Sequence, residues 1–371
     1  MFTVFGIAYS FGAFFGPMAR DFHSGAGATA AVFSITAFLY FGLGVLSGWL
    51  ADRIGARKVV FAGAVVMGGG LLLTAIVPNI QLGYLTYGLG VGIGTTCGYV
   101  PMVGAAGGWF HARRGLAIGI AVSGIGLGTL FVPPLAAALI SAHGWRTTYA
   151  IFGVASFLIL TACAAATFRP QGIHPAGSLT LGRAVRSREF ALMYVSALFL
   201  SFSLFVFFVH LVPYAEAGGV DVVRATGLIA VIGAGSFLGR IILGWLAGRA
   251  GSVRTYKGTV LLMAASYLIW LLEPGYGGLV AFAFLMGFGY GGWVALSPAV
   301  AADLFGAEGL GGTVGALYTS AAIGALVGPP AAGFVRDAMG TYRPAIAAAM
   351  VLAVVSLLVI LPLRTSAKVA E

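Results

Sequence analysis

The chain has 371 residues, of which 60% are hydrophobic and only 8% are charged, and its formal net charge is +10. A soluble protein of this size could not cover its surface with so few charges, so we predict an all-α protein that crosses a membrane many times. The two cysteines lie in apolar segments, which argues against a disulfide scaffold. The excess of positive charge is better explained by loop placement than by nucleic-acid binding.

Apolar runs in chain order predict twelve membrane spans. The first run has no basic segment before it, so we interpret it as a span and not as a cleavable signal peptide. The longest break, 169–187, is predicted to be a central cytoplasmic loop between an N-terminal six-helix bundle at 1–168 and a C-terminal one at 188–371. The predicted spans are 1–19, 27–50, 58–78, 81–108, 115–140, 146–168, 188–214, 225–248, 256–273, 276–303, 312–335 and 343–363.

Basic residues are distributed unevenly between the two ends of these spans. Five of the 20 Lys and Arg residues lie in the loops of one end, here called the opposite end. Fourteen lie in the loops and tail of the other end, here called the basic loops. Because Lys and Arg accumulate in cytoplasmic loops, we predict a multi-pass protein of the plasma (inner) membrane with both termini cytoplasmic. The basic loops contain Arg53, Arg57, Lys58, Arg113, Arg114, Arg169, Arg183, Arg186, Arg188, Arg249, Arg254, Lys257, Arg364 and Lys368.

The two predicted bundles repeat one another in sequence. Gly-Trp-Leu-Ala-Asp-Arg-Ile-Gly at 48–55 recurs as Gly-Trp-Leu-Ala-Gly-Arg-Ala-Gly at 244–251, which is an offset of 196 residues. The same offset carries Pro133-Pro134 onto Pro329-Pro330. Two parallel six-helix repeats are the organisation of alternating-access transporters, in which the substrate site lies between the repeats.

The first copy of the repeated segment resembles the loop 2–3 motif of the major facilitator superfamily: Gly48-Trp-Leu-Ala-Asp52-Arg53-Ile-Gly55-Ala-Arg57-Lys58. The resemblance implies a conformational latch formed by Asp52, Arg53 and Arg57. In that fold Asp52 approaches the start of the eleventh helix, near 311–313, where exposed N–H groups favour a carboxylate. The alternative is that these residues only enforce topology. The second copy has glycine in place of the acid, so the latch is predicted to be one-sided.

Within the superfamily, the chain resembles the monocarboxylate transporters and their oxalate–formate antiporter relatives. The resemblance implies that Arg240 of the eighth span binds the substrate carboxylate. In two respects the chain departs from these relatives: Ser236 replaces the proton-carrying aspartate of animal members, and the eleventh span lacks the antiporter's lysine. The matching segments are Ser10-Phe-Gly-Ala-Phe-Phe15, Trp109-Phe110 with Arg113-Arg114-Gly115-Leu116-Ala117, Gly144-Trp145-Arg146 and His210-Leu-Val-Pro213-Tyr214.

Arg240 also stands out without any resemblance. It lies in the otherwise uncharged stretch 225–248, close to the middle of the membrane. A cation at that depth costs at least ~2.5–3.5 kcal/mol on insertion scales. No Asp or Glu lies near the middle of another apolar segment, so the predicted partner is a substrate anion, which a guanidinium can bind bidentately. A structural ion pair or contact with interfacial water is the alternative.

Tyrosines and a histidine inside the spans are further candidates. Tyr99 and Tyr290 match, by resemblance, the region that lines the substrate site in monocarboxylate carriers. His210 could change charge near neutral pH, so it is the candidate proton carrier, with an interfacial role as the alternative. Other possible carriers are Asp21, the substrate itself or a group preceding this sequence. The candidates for substrate binding, each with helix packing as its alternative, are Tyr9, Tyr99, Tyr290, Trp293, Tyr318 and Ser236.

These observations predict a secondary active transporter of small monocarboxylates resembling lactate or pyruvate, coupled to protons and working by alternating access around Arg240. The alternatives are an exporter or exchanger of other organic or drug-like anions, and a membrane sensor that does not transport. No nucleophile–base set or metal-ligand cluster indicates an enzyme, a metal or a cofactor. The expected partners are a small organic anion, a proton and the lipid bilayer, with no nucleic acid, and the expected state is monomeric.

Overall fold

A computed structural model describes residues 1–109, 114–167, 179–272, 275–306 and 310–364. Within these ranges the regular structure is helical and contains no strand, so the predicted all-α class is confirmed. A π-helical stretch, Tyr84–Leu89, joins α6 to α7. The helices are α1 (Phe2–Tyr9), α2 (Phe11–Asp21), α3 (Ala26–Gly42), α4 (Gly44–Ile54), α5 (Ala56–Thr74), α6 (Ile80–Gly83), α7 (Gly90–Trp109), α8 (Arg114–Ala165), α9 (Leu179–Val185), α10 (Arg188–Ala217), α11 (Val222–Ala250), α12 (Ser252–Leu271), α13 (Tyr276–Phe305), α14 (Leu310–Met339) and α15 (Arg343–Ile360).

Seven helices in the described ranges are long and apolar enough to cross a membrane: α5, α8, α10, α11, α13, α14 and α15. Two bent pairs pass the same test jointly, α1 with α2 at 41° and α3 with α4 at 46°. The long α8 contains Gly144 at a non-helical φ of 78°, so it consists of two helices joined across a kink. The polytopic membrane architecture is therefore confirmed, while the count of twelve spans stays a prediction.

The central segment is more ordered than a plain loop in its described part. Predicted as loop, it contains the short helix α9, which packs against α10 and α14. Ser187 then begins α10, because its hydroxyl accepts the backbone N–H of Phe190 at 3.1 Å. The division of the chain into two bundles at this segment stays a prediction.

The sequence repeat has a counterpart in the backbone. Gly55 and Gly251, at equivalent positions, adopt nearly the same conformation, with φ of 93° and 92° and ψ of 141° in both. A positive φ strongly favours glycine, which explains why both copies keep this residue. In the helix that precedes each glycine, Arg53 lies over Trp49 at 4.1 Å and Arg249 lies over Trp245 at 4.0 Å. The offset of 196 residues thus relates two local structures as well as two sequences.

Helices α11 and α13 pack with their backbones in direct contact. A Cβ added to Gly239 of α11 would overlap the carbonyl oxygen of Phe288 in α13. In the same way, a Cβ on Gly291 of α13 would overlap the backbone of Ser236. Small residues on both surfaces allow this approach, as is common between membrane helices. The contact fixes Arg240, which follows Gly239, relative to α13 and its Tyr290.

Candidate functional site

Arg240 is buried in α11, with only 9% of its surface exposed. Among the described residues, its Nε, Nη1 and Nη2 atoms have no hydrogen-bond partner. The guanidinium packs over Gly126 of α8, where an added Cβ would lie 3.1 Å from Nη1. Burying a charge without partners is costly, because the lost hydration is not replaced. The arrangement therefore leaves several N–H donors available to an oxyanion.

Tyrosine hydroxyls from several helices gather beside this guanidinium. The hydroxyl of Tyr9 lies 3.0 Å from that of Tyr290 and 3.5 Å from that of Tyr40. These three residues belong to α1, α13 and α3, so the cluster draws on helices far apart in the chain. The hydroxyls that interact electrostatically with Arg240 are those of Tyr290, Tyr99, Tyr9 and Tyr318. The structure thus brings together Arg240 and the four predicted tyrosines.

Two phenylalanines that were not among the predicted residues hold these tyrosines. Phe208 of α10 stacks on Tyr9 with ring centroids 4.4 Å apart, and it meets Tyr290 edge-on at 5.4 Å. Phe5 contacts Tyr9, Tyr40 and Tyr99 at 5.7, 5.5 and 5.3 Å. The only signal available for Phe5 was its position one helical turn before Tyr9. These rings give the site apolar walls around a few polar groups, the usual composition of a small-molecule site.

Ser236 and Trp293 differ in whether their polar groups already have a hydrogen-bond partner among the described residues. The Ser236 hydroxyl lies one turn before Arg240, is buried and has no hydrogen-bond partner among the described residues. The Trp293 indole N–H instead donates to the Tyr256 hydroxyl at 2.8 Å. Trp293, Tyr256 and Tyr318 border a small cavity. Trp293 therefore shares a cavity with Tyr318 of the tyrosine cluster, but its indole N–H is already hydrogen-bonded to Tyr256.

His210 belongs to a second polar cluster rather than to the one around Arg240. It is fully buried, its Nε2 lies 2.8 Å from the Pro329 carbonyl, and its Nδ1 lies 3.3 Å from the Tyr342 hydroxyl. Because a carbonyl can only accept, Nε2 carries the hydrogen, and Nδ1 accepts from Tyr342 when the ring is neutral. His210 thus connects α10 to α14 and to the turn before α15.

Asp21, the other acid considered for the proton, is engaged in an ion pair. Its Oδ2 accepts from Nη2 and Nε of Arg146, at 2.9 and 3.2 Å. The same arginine donates from Nη1 to the carbonyls of Ala75 and Val77, at 3.2 and 2.8 Å. Asp21 therefore helps to fix the ends of α2 and α5 at the kink of α8.

The predicted latch is only partly described. The side chain of Asp52 and the segment 307–309 lie outside the part of the chain that the structure describes. Arg53 stacks on Trp49, and Arg57 is exposed. Helices α4 and α14 do approach each other near this end, since a Cβ on Gly315 would lie 3.1 Å from a methyl carbon of Val45. The latch role of Asp52, Arg53 and Arg57 stays a prediction.

Comparison with known proteins places this chain in a family. Residues 1–281 match the family model of the Major Facilitator Superfamily. The chain is 32% identical over 363 residues to monocarboxylate transporter 3 of Rattus norvegicus, covering 92% of this chain and 74% of that protein. It is 28% identical over 343 residues to monocarboxylate transporter 12 of Homo sapiens, covering 81% of this chain and 65% of that protein. The chain belongs to the monocarboxylate transporter family of the major facilitator superfamily.

A solved structure agrees on the fold. A bacterial homologue of the human lysosomal transporter Spinster superimposes with a TM-score of 0.77 at 17% identity, covering 99% of this chain and 95% of its own. The predicted major facilitator fold is thereby confirmed. Membership of the monocarboxylate transporter family also confirms a membrane transporter rather than an enzyme.

The clustered residues come from both sides of the central segment, which matters for a transporter. Tyr9 and Tyr99 precede the central segment, whereas Arg240, Tyr290 and Tyr318 follow it. A ligand that contacted both groups would bridge the two halves of the chain. Its binding energy would therefore depend on how the halves are arranged, which is the requirement for a site in alternating access.

Proposed function

We propose that this chain carries small monocarboxylate anions across the plasma (inner) membrane by alternating access around Arg240. The observation that supports this most is the buried guanidinium, which has no hydrogen-bond partner among the described residues and lies beside tyrosine hydroxyls. Two parallel N–H groups of Arg240 bind the carboxylate, and the hydroxyls of Tyr9 and Tyr290 contact its remaining lone pairs. The basic loops face the cytoplasm, as do both termini.

Charge neutralisation explains how a bound substrate promotes the conformational change. In the empty site, the positive charge of Arg240 favours hydration and an open cavity, because a closed, dry site would leave it unpaired. A bound carboxylate neutralises it, so the two halves can close around the loaded site at a lower cost. Ser236, one turn away, offers a further hydroxyl to a substrate that carries a second polar group.

The proposal predicts a preference for single negative charges. Lactate and pyruvate are expected to bind more tightly at pH 7 than oxalate or succinate, because one buried cation can neutralise only one carboxylate. The measurement is the thermal stabilisation of purified protein, which reaches about 2.7 kcal/mol at a ligand concentration 100 times the Kd. Lactamide, a neutral analogue of lactate, serves as the control and should not stabilise. Tighter binding of a dicarboxylate would contradict the single-cation site.

We also propose that transport is coupled to protons and that His210 carries the proton. Its Nδ1 can gain a hydrogen if the Tyr342 hydroxyl turns from donor to acceptor. An inward proton gradient should therefore stimulate lactate uptake into vesicles, and His210→Gln should lose the stimulation. Asp21→Asn is the control: it removes an acid paired with Arg146, so the stimulation ratio should persist. No stimulation of the unmodified protein would indicate uniport or anion exchange, and stimulation that survives His210→Gln would exclude this histidine.

A further inference from the structure

A carboxylate joins the two halves of the chain at the opposite end of the molecule. Asp337 of α14 accepts the backbone N–H of Ala26 on Oδ1 and that of Gly27 on Oδ2, both at 3.0 Å. Ala26 and Gly27 are the first two residues of α3. Two oxygens thus satisfy two N–H groups that have no partner within their own helix, at the end where the helix dipole favours a negative charge.

The sequence repeat shows that this cap is unusual within the molecule. The N-cap residue of α3 is Gly25, which has no side chain to cap its own helix. At the offset of 196 residues, the N-cap of α11 is Asp221, which accepts the N–H of Val223 and Arg224 at 3.1 and 3.0 Å. One repeat therefore caps its helix with its own carboxylate, whereas the other receives the carboxylate from the opposite half.

The position of Asp337 also differs between the repeats. The equivalent residue in the first half is Ser141, whose hydroxyl bonds the carbonyl of Ala138 in its own helix at 3.2 Å. Of the equivalent positions 25 and 221, only 221 carries a carboxylate, and of the positions 141 and 337, only 337 does. The α3 cap therefore comes from Asp337, in a position where the N-cap residue Gly25 has no side chain of its own.

Helices α3 and α14 are in close contact beside this cap. A Cβ added to Gly333 would lie 2.5 Å from the backbone nitrogen of Gly27, and one added to Gly27 would lie 2.5 Å from a ring carbon of Phe334. Arg336 lies 3.7 Å from the Asp337 carboxylate, within ion-pair distance. Separation of the two helices at this end would break both hydrogen bonds together and leave α3 without a cap.

We propose that Asp337 is a latch that holds the opposite end of the transporter closed by capping α3 across the two halves. Opening at this end exchanges two charge-assisted hydrogen bonds for water, so the latch favours the closed arrangement. Asp337 acts through the relative position of the helices and does not depend on which substrate is carried. The proposal thus goes beyond the function proposed above, and it can be tested without a ligand.

The test uses a cysteine reporter under the latch. Ala30 is buried in α3, one turn after Ala26 and on the same face. In purified protein in nanodiscs, with Cys97→Ala and Cys163→Ala, the rate at which a hydrophilic maleimide labels Ala30→Cys reports opening. Asp337→Asn should raise this rate about tenfold, the effect expected for loss of a hydrogen bond to a charged group. An unchanged rate would overturn the proposal.

Asp221→Asn is the matched control, because it weakens an equivalent cap that lies within one helix. It should leave the labelling of Ala30→Cys unchanged, and an equal rise would mean that any weakened cap loosens the protein. In wild type, Gly25→Asp should itself accelerate labelling, because its Cβ would lie 2.6 Å from the Asp337 Oδ2 and displace that carboxylate. This variant tests the latch even if Asp337→Asn does not fold.

A double variant separates the latch from a simple helix cap. Gly25 has φ of −67° and ψ of 167°, a conformation that aspartate adopts readily. Adding Gly25→Asp to Asp337→Asn therefore gives α3 a cap of its own and should restore the thermal stability. Labelling of Ala30→Cys should nevertheless stay fast, because the link between the halves is still missing. A return to the slow rate would show that Asp337 only stabilises α3.

Discussion

Replacing Arg240 with glutamine is expected to abolish substrate binding and transport while the protein still folds and inserts. Loss of a buried charge-pair partner costs about 2–5 kcal/mol, which is a factor of roughly 30 to 5,000 in affinity. Folding should survive, because the guanidinium makes no hydrogen bond to the described residues that the variant would lose. Without ligand, Arg240→Gln should therefore unfold at the same temperature as the wild-type protein.

Arg240→Lys distinguishes the shape of the cation from its charge. The ammonium group keeps the positive charge but cannot donate two parallel N–H groups from one plane, so transport should fall to a fraction of the wild-type rate. Uptake of labelled lactate into proteoliposomes measures activity, and size-exclusion chromatography of the purified variants verifies folding. Full-rate transport by Arg240→Gln would contradict the role of Arg240 as the substrate anchor.

The fold was largely predictable because its signals are local. Apolar runs indicate a membrane protein that crosses the bilayer many times, and a segment repeated at 196 residues indicates an internal repeat. Bends inside the apolar runs were not predictable, because hydropathy indicates which residues are buried but not the direction of the helix axis. The first predicted span is broken between α1 and α2, where the Ser10 hydroxyl bonds the Ile7 carbonyl at 2.7 Å. Such a bond from side chain to backbone is a known cause of helix bending.

The candidate site was predictable in its charge and less so in its geometry. Arg240 is conspicuous in the sequence because the cost of a lone cation depends only on the apolar residues around it. The pairing of Tyr9 with Tyr290 joins residues 281 positions apart and depends on how α1, α10 and α13 pack. Trp293 was a candidate for substrate binding because of its position in a span. Only the structure reveals that its indole N–H donates to the Tyr256 hydroxyl.

A glycine-rich run in α8 shows what the structure adds to the sequence. The sequence indicates that Gly124-Ile-Gly126-Leu-Gly128 is a packing surface rather than a nucleotide loop. The structure adds the partners: Gly126 lies against the Arg240 guanidinium and the backbone of Gly233. Composition alone could not have identified them, because any of several helices could have packed against this surface.

Gly239→Ala is expected to disrupt the site by forcing α11 away from α13. The added methyl group would overlap the Phe288 carbonyl, so α11 and α13 must separate. Overpacking of this kind costs about 1–3 kcal/mol of stability. Arg240 is the next residue, and its distance from Tyr290 is set by the same contact. Lactate binding should therefore weaken even at temperatures where the variant is fully folded.

Gly244→Ala is the matched control, because the same methyl group added to the same helix meets no atom within 4 Å. Its stability should stay within about 0.5 kcal/mol of wild type, and its lactate affinity should not change. Thermal unfolding with and without lactate measures both quantities on both variants. If Gly239→Ala lost stability but kept full affinity, the α11–α13 contact would support the fold without positioning Arg240. If the two variants behaved alike, the close approach of these helices would itself be wrong.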